Sequence, residues 1–246
     1  MKRSVANDQR RTTNDRFMTW IKICGTTNLE DAVMSVEAGA DALGFVFYKN
    51  SPRNVTPEVV REIVAKLPVK IEKVGVFVNQ SFEFMESVAA RTGLTGVQLH
   101  ADLSGDNNTV GAPSNARIKK YLVISAEQFF DSQGKFDSFA VSVRNQESEK
   151  WINALFLDSG TSQQPGGTGI AFDWLKSAPI AETIRRSGFD LVVAGGLNSG
   201  NVAEAIRILN PWGVDVVSGV EASPGKKDPE KVRAFISSVR QADKKK

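Results

Sequence analysis

The chain has 246 residues, 41% hydrophobic and 24% charged, with one cysteine and one histidine. That size fits one large α/β barrel or two small domains with a substantial core, and it excludes a disordered, collagenous or disulfide-stapled protein. The formal charge of +3 lies wholly in residues 1–17, where Lys2, Arg3, Arg10, Arg11 and Arg16 outnumber Asp8 and Asp15, so the body has no basic excess with which to bind nucleic acid.

In chain order, residues 1–17 are polar and aperiodic and read as a disordered extension. A transit peptide is the rival reading, weakened by Asp8, Asp15 and the lack of an amphipathic pattern. The folded domain is expected over 18–246. From Met18 onward, short β-branched or apolar runs alternate with segments of helical spacing. The runs predict strands at 19–24, 41–47, 72–78, 96–100, 120–124, 153–158, 190–194 and 214–218. Between them, 28–38 carries Leu29, Ala32, Val33 and Val36 on one face, and 57–67 carries Val60, Ile63, Val64 and Leu67. Thr56-Pro57-Glu58 and Asp228-Pro229-Glu230 read as helix starts, and Gly39, Gly93 and Gly188 as stops. The stretch 102–117 is loop-like, and 125–152 is longer than one turn and one helix require.

Strands alternating with helices imply a parallel sheet. Eight such units in this length, without a nucleotide fingerprint after the first strand, favour a single (β/α)8 TIM barrel over an open doubly wound sheet. No apolar run approaches the ~18 residues that span a bilayer, and no secretory leader pattern is present. The expectations are therefore no membrane partner and a cytoplasmic location. Cys24 and His100 are too few soft ligands for a structural zinc site, so no metal is expected.

In such a barrel, active sites form at the C-terminal strand ends. Gly195 and Gly196 after the seventh strand and Gly219 after the eighth either make tight turns or, with a short helix after strand 8, form a phosphate site, and two such loops in adjacent units favour the second. Asp158 closes an apolar run, where desolvation would raise its pKa as a general acid requires; an Asx turn is the plainer alternative. Cys24, at the first strand end, is either a buried hydrophobe or a thiol able to act as base or nucleophile. Arg53, stiffened by Pro52, could grip a carboxylate with its fork. His100 could as easily be a hydrogen-bonded core-edge residue as a catalyst, and it is counted among the substrate-binding candidates. The loop from Ser159 to Gly169, with Gly167 at its glycine-rich end, could fold over the phosphate or simply connect strand to helix. Glu221, past the phosphate loop, reads as a structural pairing or capping residue.

These residues carry a family resemblance. KICGT at 22–26 with EDA at 30–32, GADALGFVF at 39–47, SPR at 51–53, VGVFV at 74–78 and VQLH at 97–100 resemble phosphoribosylanthranilate isomerases. So do LD at 157–158, GGTG at 166–169 with FDW at 172–174, AGGL at 194–197, VVSGVE at 216–221 and GKKD at 225–228. The match runs in order from about 21 to 237 and departs over 102–152 and in the N-terminal arm.

The resemblance implies a (β/α)8 enzyme of tryptophan biosynthesis. Its reaction is a cofactor-free Amadori rearrangement of N-(5′-phosphoribosyl)anthranilate to the 1-deoxyribulose isomer. It further implies Cys24 as general base, Asp158 as general acid, Arg53 on the anthranilate carboxylate, and the phosphate on Gly195, Gly196, Ser218 and Gly219. A phosphorylated small molecule is then the partner, and the chain a monomer or homodimer. The alternatives are a histidine-pathway or bifunctional Amadori isomerase, which tends to pair two aspartates, and a phosphosugar-binding barrel without turnover. Lys22, two residues before Cys24, shares its inward or outward sense but lies deeper.

Overall fold

The computed structural model describes residues 18–100, 117–126, 152–160 and 171–245. The expectations for 1–17, for most of 102–152 and for Gly167 with its loop lie outside the described residues.

Eight parallel strands close into a barrel: β1 (Trp20–Ile23), β2 (Ala42–Val46), β3 (Glu72–Val78), β4 (Gly96–His100), β5 (Lys119–Ser125), β6 (Ala154–Asp158), β7 (Asp190–Val193) and β8 (Gly213–Val216). The last pairs with the first from Trp20↔Gly213 to Ile23↔Val216, so no strand edge stays open. Each strand falls on a predicted run, shifted by at most two residues at either end.

Around the barrel run α1 (Leu29–Glu37), α2 (Pro57–Val64), α3 (Phe82–Thr92), α4 (Trp174–Arg186), α5 (Val202–Leu209) and α6 (Pro229–Asp243). Their starts are capped as the sequence suggested. The Thr56 side chain accepts from the Val59 amide, and Asp228 accepts from the amides of Glu230 and Lys231. One expectation fails on α1, where Val33 is exposed and the buried positions are Asp31, Ala32 and Ser35. Polar atoms hold that face inward: Asp31 accepts from the Asn28 side-chain amide at 2.9 Å and from the Lys227 backbone amide at 2.8 Å. The α1 surface against the barrel is thus part hydrogen-bonded, which apolar periodicity does not register.

Strand alternation divides the core in two. Ile21, Ile23, Leu43, Phe45 and Leu157 face the helices. Trp20, Ala42, Val74, Tyr121, Phe156 and Val192 fill the interior. The rings of Trp20, Tyr121 and Phe156 meet at centroid distances of 5.5 to 6.3 Å and plug the lower barrel. Above this plug the interior turns polar, with Lys22, Gln98 and Asp215 buried together. Above them lies the mouth.

After β8 the chain makes one 3-10 turn, Ser218–Val220, and then a hairpin of β9 (Glu221–Ser223) with β10 (Lys226–Lys227). The short helix expected there is this single turn. The hairpin folds back on the first strand: Lys227 Nζ bonds the Cys24 carbonyl oxygen at 2.5 Å.

Candidate active site

A cavity of about 70 Å3 opens at the mouth, and its walls include Cys24, Arg53, Gln98, His100, Asp158 and Asp215. The structure therefore brings Cys24, Arg53, His100 and Asp158 to one place, although they stand on or after β1, β2, β4 and β6.

Cys24 follows β1 directly, and its amide bonds the Val216 carbonyl at 2.9 Å. The thiol can occupy its position because Gly44 stands beside it on β2: a Cβ on Gly44 would lie 2.5 Å from Sγ. Burial pushes the thiol pKa above its ordinary value, and the Lys22 ammonium pulls against that rise.

Asp158 ends β6. Its Oδ1 accepts from the Gly160 amide at 2.9 Å, while Oδ2 has no partner among the described residues. Burial raises this carboxyl above its ordinary value, partly offset by the Gly160 hydrogen bond and the Lys22 charge. The Asx-turn alternative is realised at Oδ1, which accepts from the Gly160 amide.

Arg53 is held more firmly than expected. Its Nε and Nη2 edge lies on Glu221 at 2.9 and 2.7 Å, and that hydrogen bonding raises its pKa. The Nη1 end of the fork has no hydrogen-bond partner among the described residues. Glu221 is the structural partner that its position suggested. Burial would raise its pKa, but Arg53 and Lys227 bring it below the ordinary value.

His100 lines the cavity with its Nε2 3.4 Å from Gln98 Nε2. Burial, with the Lys22 charge, pushes its pKa down to about 4, so at neutral pH it is an uncharged hydrogen-bonding group.

Of the four residues expected at the phosphate, Gly195 stands against Asp158 and Gly219 against Leu197. Gly195 and Gly196 take φ of +81° and +64°, which a side chain rarely adopts. Their amides have no acceptor among the described residues. A Cβ on Gly195 would lie 2.8 Å from Asp158 Oδ1, and one on Gly219 would run into the Leu197 carbonyl. Gly195 and Gly196 thus form a left-handed turn directly after β7, and Ser218 opens the 3-10 turn that follows β8.

Three side chains in the barrel escaped the sequence reading as site residues. Lys22 Nζ bonds Gln98 Oε1 at 2.8 Å and Asp215 Oδ2 at 3.1 Å, all buried. Asp215 Oδ1 is buried without a partner among the described residues. The available signal was a lone charge inside each of two otherwise apolar strands. Such charges are rarely buried unless paired.

A closed (β/α)8 barrel that gathers a buried thiol, a carboxyl and an arginine at one mouth defines the class: a barrel with the layout of a (β/α)8 enzyme. The sequence model described as N-(5'phosphoribosyl)anthranilate (PRA) isomerase matches residues 21–238. An N-(5'-phosphoribosyl)anthranilate isomerase from Chlorobaculum parvum is 42% identical over 228 residues, covering 92% of this chain and 97% of that protein. The crystal structure of phosphoribosyl anthranilate isomerase from Thermotoga maritima superposes with a TM-score of 0.74 at 37% identity, covering 91% and 100% of the two chains. A crystal structure of such an isomerase in complex with reduced 1-(o-carboxyphenylamino)-1-deoxyribulose 5-phosphate gives 0.72 at 36% identity, with the same coverage. The chain belongs to the N-(5'-phosphoribosyl)anthranilate isomerase family.

Proposed function

We propose that this chain catalyses the cofactor-free Amadori rearrangement of N-(5′-phosphoribosyl)anthranilate to 1-(2-carboxyphenylamino)-1-deoxyribulose 5-phosphate in tryptophan biosynthesis, with Asp158 as general acid and Cys24 as general base. The observation that carries the roles is the convergence of the Cys24 thiol and the Asp158 carboxyl on one cavity, with Gly195 packed against Asp158. The ligand in the related crystal structure is a reduced form of this product.

Asp158 protonates the furanose ring oxygen from Oδ2. The ring opens as the C1′–O bond breaks, leaving a hydroxyl at C4′ and a protonated Schiff base to the anthranilate nitrogen. The Cys24 thiolate takes the proton from C2′, and those electrons neutralise the iminium as an enolamine. Tautomerisation then moves the C2′ hydroxyl proton away and delivers a proton to C1′, so the ketone forms and both side chains regain their starting states. The acid must hold a proton while the base lacks one. Burial shifts the Asp158 carboxyl toward the first condition; at Cys24 burial shifts the thiol away from the second, and the Lys22 ammonium opposes that shift.

Substrate binding is assigned to the remaining groups. The amides of Gly195, Gly196 and Gly219, with Ser218, take the phosphate, and Arg53 takes the anthranilate carboxylate at its free end. His100 and Asp215 Oδ1 offer neutral and acceptor contacts to the sugar. Binding energy at the phosphate orients the reacting end.

The test is direct. The purified protein, mixed with substrate generated in place, should abolish the anthranilate-ribotide fluorescence at a rate proportional to enzyme. Folded protein that leaves the fluorescence unchanged but binds the reduced product analogue would instead mark a binding-only barrel.

A further inference from the structure

Lys22 stands two residues before Cys24 on β1, in the same inward phase. Its side chain is wholly buried, and its Nζ lies 5.3 Å from the centroid of the Phe156 ring. An ammonium has three donors. Gln98 on β4 and Asp215 on β8 take two of them, which leaves one donor outside that clamp. The space that Lys22 and Cys24 share is carved by Gly44: the Cβ that residue lacks would lie 2.5 Å from Cys24 Sγ and 3.0 Å from Lys22 Cε. Both side chains therefore press against the same bare patch of β2.

We propose that Lys22 is a positioning residue for catalysis: its buried ammonium is the fixed counter-ion of the Cys24 thiolate, and Asp215 and Gln98 clamp it in that place. The proposal deepens the reading of Cys24 as general base and rests on it for its catalytic meaning.

At Lys22 and at Cys24 the charge of the other opposes the effect of burial, outweighing it together with Asp215 at Lys22 and not outweighing it at Cys24. Burial works to strip the proton from Lys22, but Asp215 and Cys24 together hold its pKa above the ordinary value. Asp215 is raised by burial and drawn back by Lys22. At Cys24, burial and Asp215 favour the thiol, whereas Lys22, by charge and by hydrogen bonding, and Lys227 of β10, by charge, favour the thiolate. Arg53 from the loop after β2 adds a further positive charge toward Cys24. Asp158 on β6 adds a negative field at Asp215, and His100 on β4 is uncharged near neutrality. Lys22 is the largest of the influences favouring the thiolate. Without Asp215 the ammonium would lose its own support in an apolar plug.

Cys24 is the only cysteine in the chain, so protein labelled with 13C at cysteine Cβ gives one signal whose pH titration is that of this thiol. Lys22→Met should raise the midpoint by about one pH unit or more and lower kcat at neutral pH while leaving KM within a few fold. Because that variant strands Asp215 and could fail to fold, the doubly neutral Lys22→Met/Asp215→Asn is titrated beside it. Its midpoint should also rise, since Lys22 outweighs Asp215 at the thiol. In the wild type, the 15Nζ signal of Lys22 should step at the same pH as the Cys24 Cβ signal. A midpoint that does not rise in the folded variants, or no step at Nζ, overturns the proposal. Cys24→Ala separates the two readings: near-normal turnover in that variant, with a raised midpoint in the Lys22 variants, would refute the base and leave the ion pair standing.

Discussion

The guanidinium of Arg53 meets Glu221 edge to edge, Nε to Oε1 at 2.9 Å and Nη2 to Oε2 at 2.7 Å, across 168 residues of sequence. The pair is buried, and Lys227 shares the same carboxylate at 3.2 Å. One acid thus bridges two cations, which together keep one excess positive charge, and fixes Arg53 where it lines the cavity.

Removing that acid should be expensive. Stripping one partner from a buried ion pair costs on the order of 3 kcal/mol, so Glu221→Ala should lower Tm by roughly 10 °C and raise KM as Arg53 loses its aim. Thermal denaturation with steady-state kinetics on the same preparation checks both. An unchanged Tm would mean that the pair contributes no stability.

Arg53→Ala should act on binding. Loss of a charge-assisted hydrogen bond of about 1.5–3 kcal/mol corresponds to a KM increase of roughly tenfold to a hundredfold, with a smaller effect on kcat. A KM equal to that of the wild type would place the anthranilate carboxylate elsewhere.

Gly44→Ala should damage chemistry while sparing the fold. The new methyl would stand 2.5 Å from Cys24 Sγ, so the thiol has to rotate away, and a displaced catalytic group can lose about a hundredfold in rate. The expected result is a large fall in kcat with an unchanged circular dichroism spectrum. Normal kcat would show that the thiol position is not critical.

Asp158→Asn should stabilise the protein as it inactivates it. Burial raises this carboxyl above the ordinary 3.8, so it ionises later in the folded chain than in the unfolded one. Wild-type stability is then lost as pH rises from 3.8 through the folded value, and stays lost above it. The amide has no such loss and can still accept from Gly160. Tm should be higher for the variant at pH 7 and converge with wild type near pH 3, whereas a pH-independent difference would contradict the raised pKa.

The elements were legible where one physical pattern dominated. Strands covered on both faces read as unbroken apolar runs, so β6 at Ala154–Asp158 stood out at 153–158 and ended on the acid itself. Helix starts at Thr56 and Asp228 were visible because a cap is local. What stayed hidden was pairing across the chain. The partnership of Lys22 with Asp215 spans 193 residues and exists only because β8 closes on β1. Arg53 was correctly placed at the mouth, but half of its fork proved to be engaged, because nothing in its own turn names Glu221. Val33 was misplaced since the polar contacts of Asp31, and not apolar spacing, fix the rotation of α1.

The most direct test of the central claim is kcat of wild type and Cys24→Ala at saturating substrate, generated in place and followed by its fluorescence decay. The account predicts loss of about 100-fold to 10,000-fold in kcat, as for a missing general base, with KM nearly unchanged. Near-normal kcat in a folded Cys24→Ala protein would contradict it.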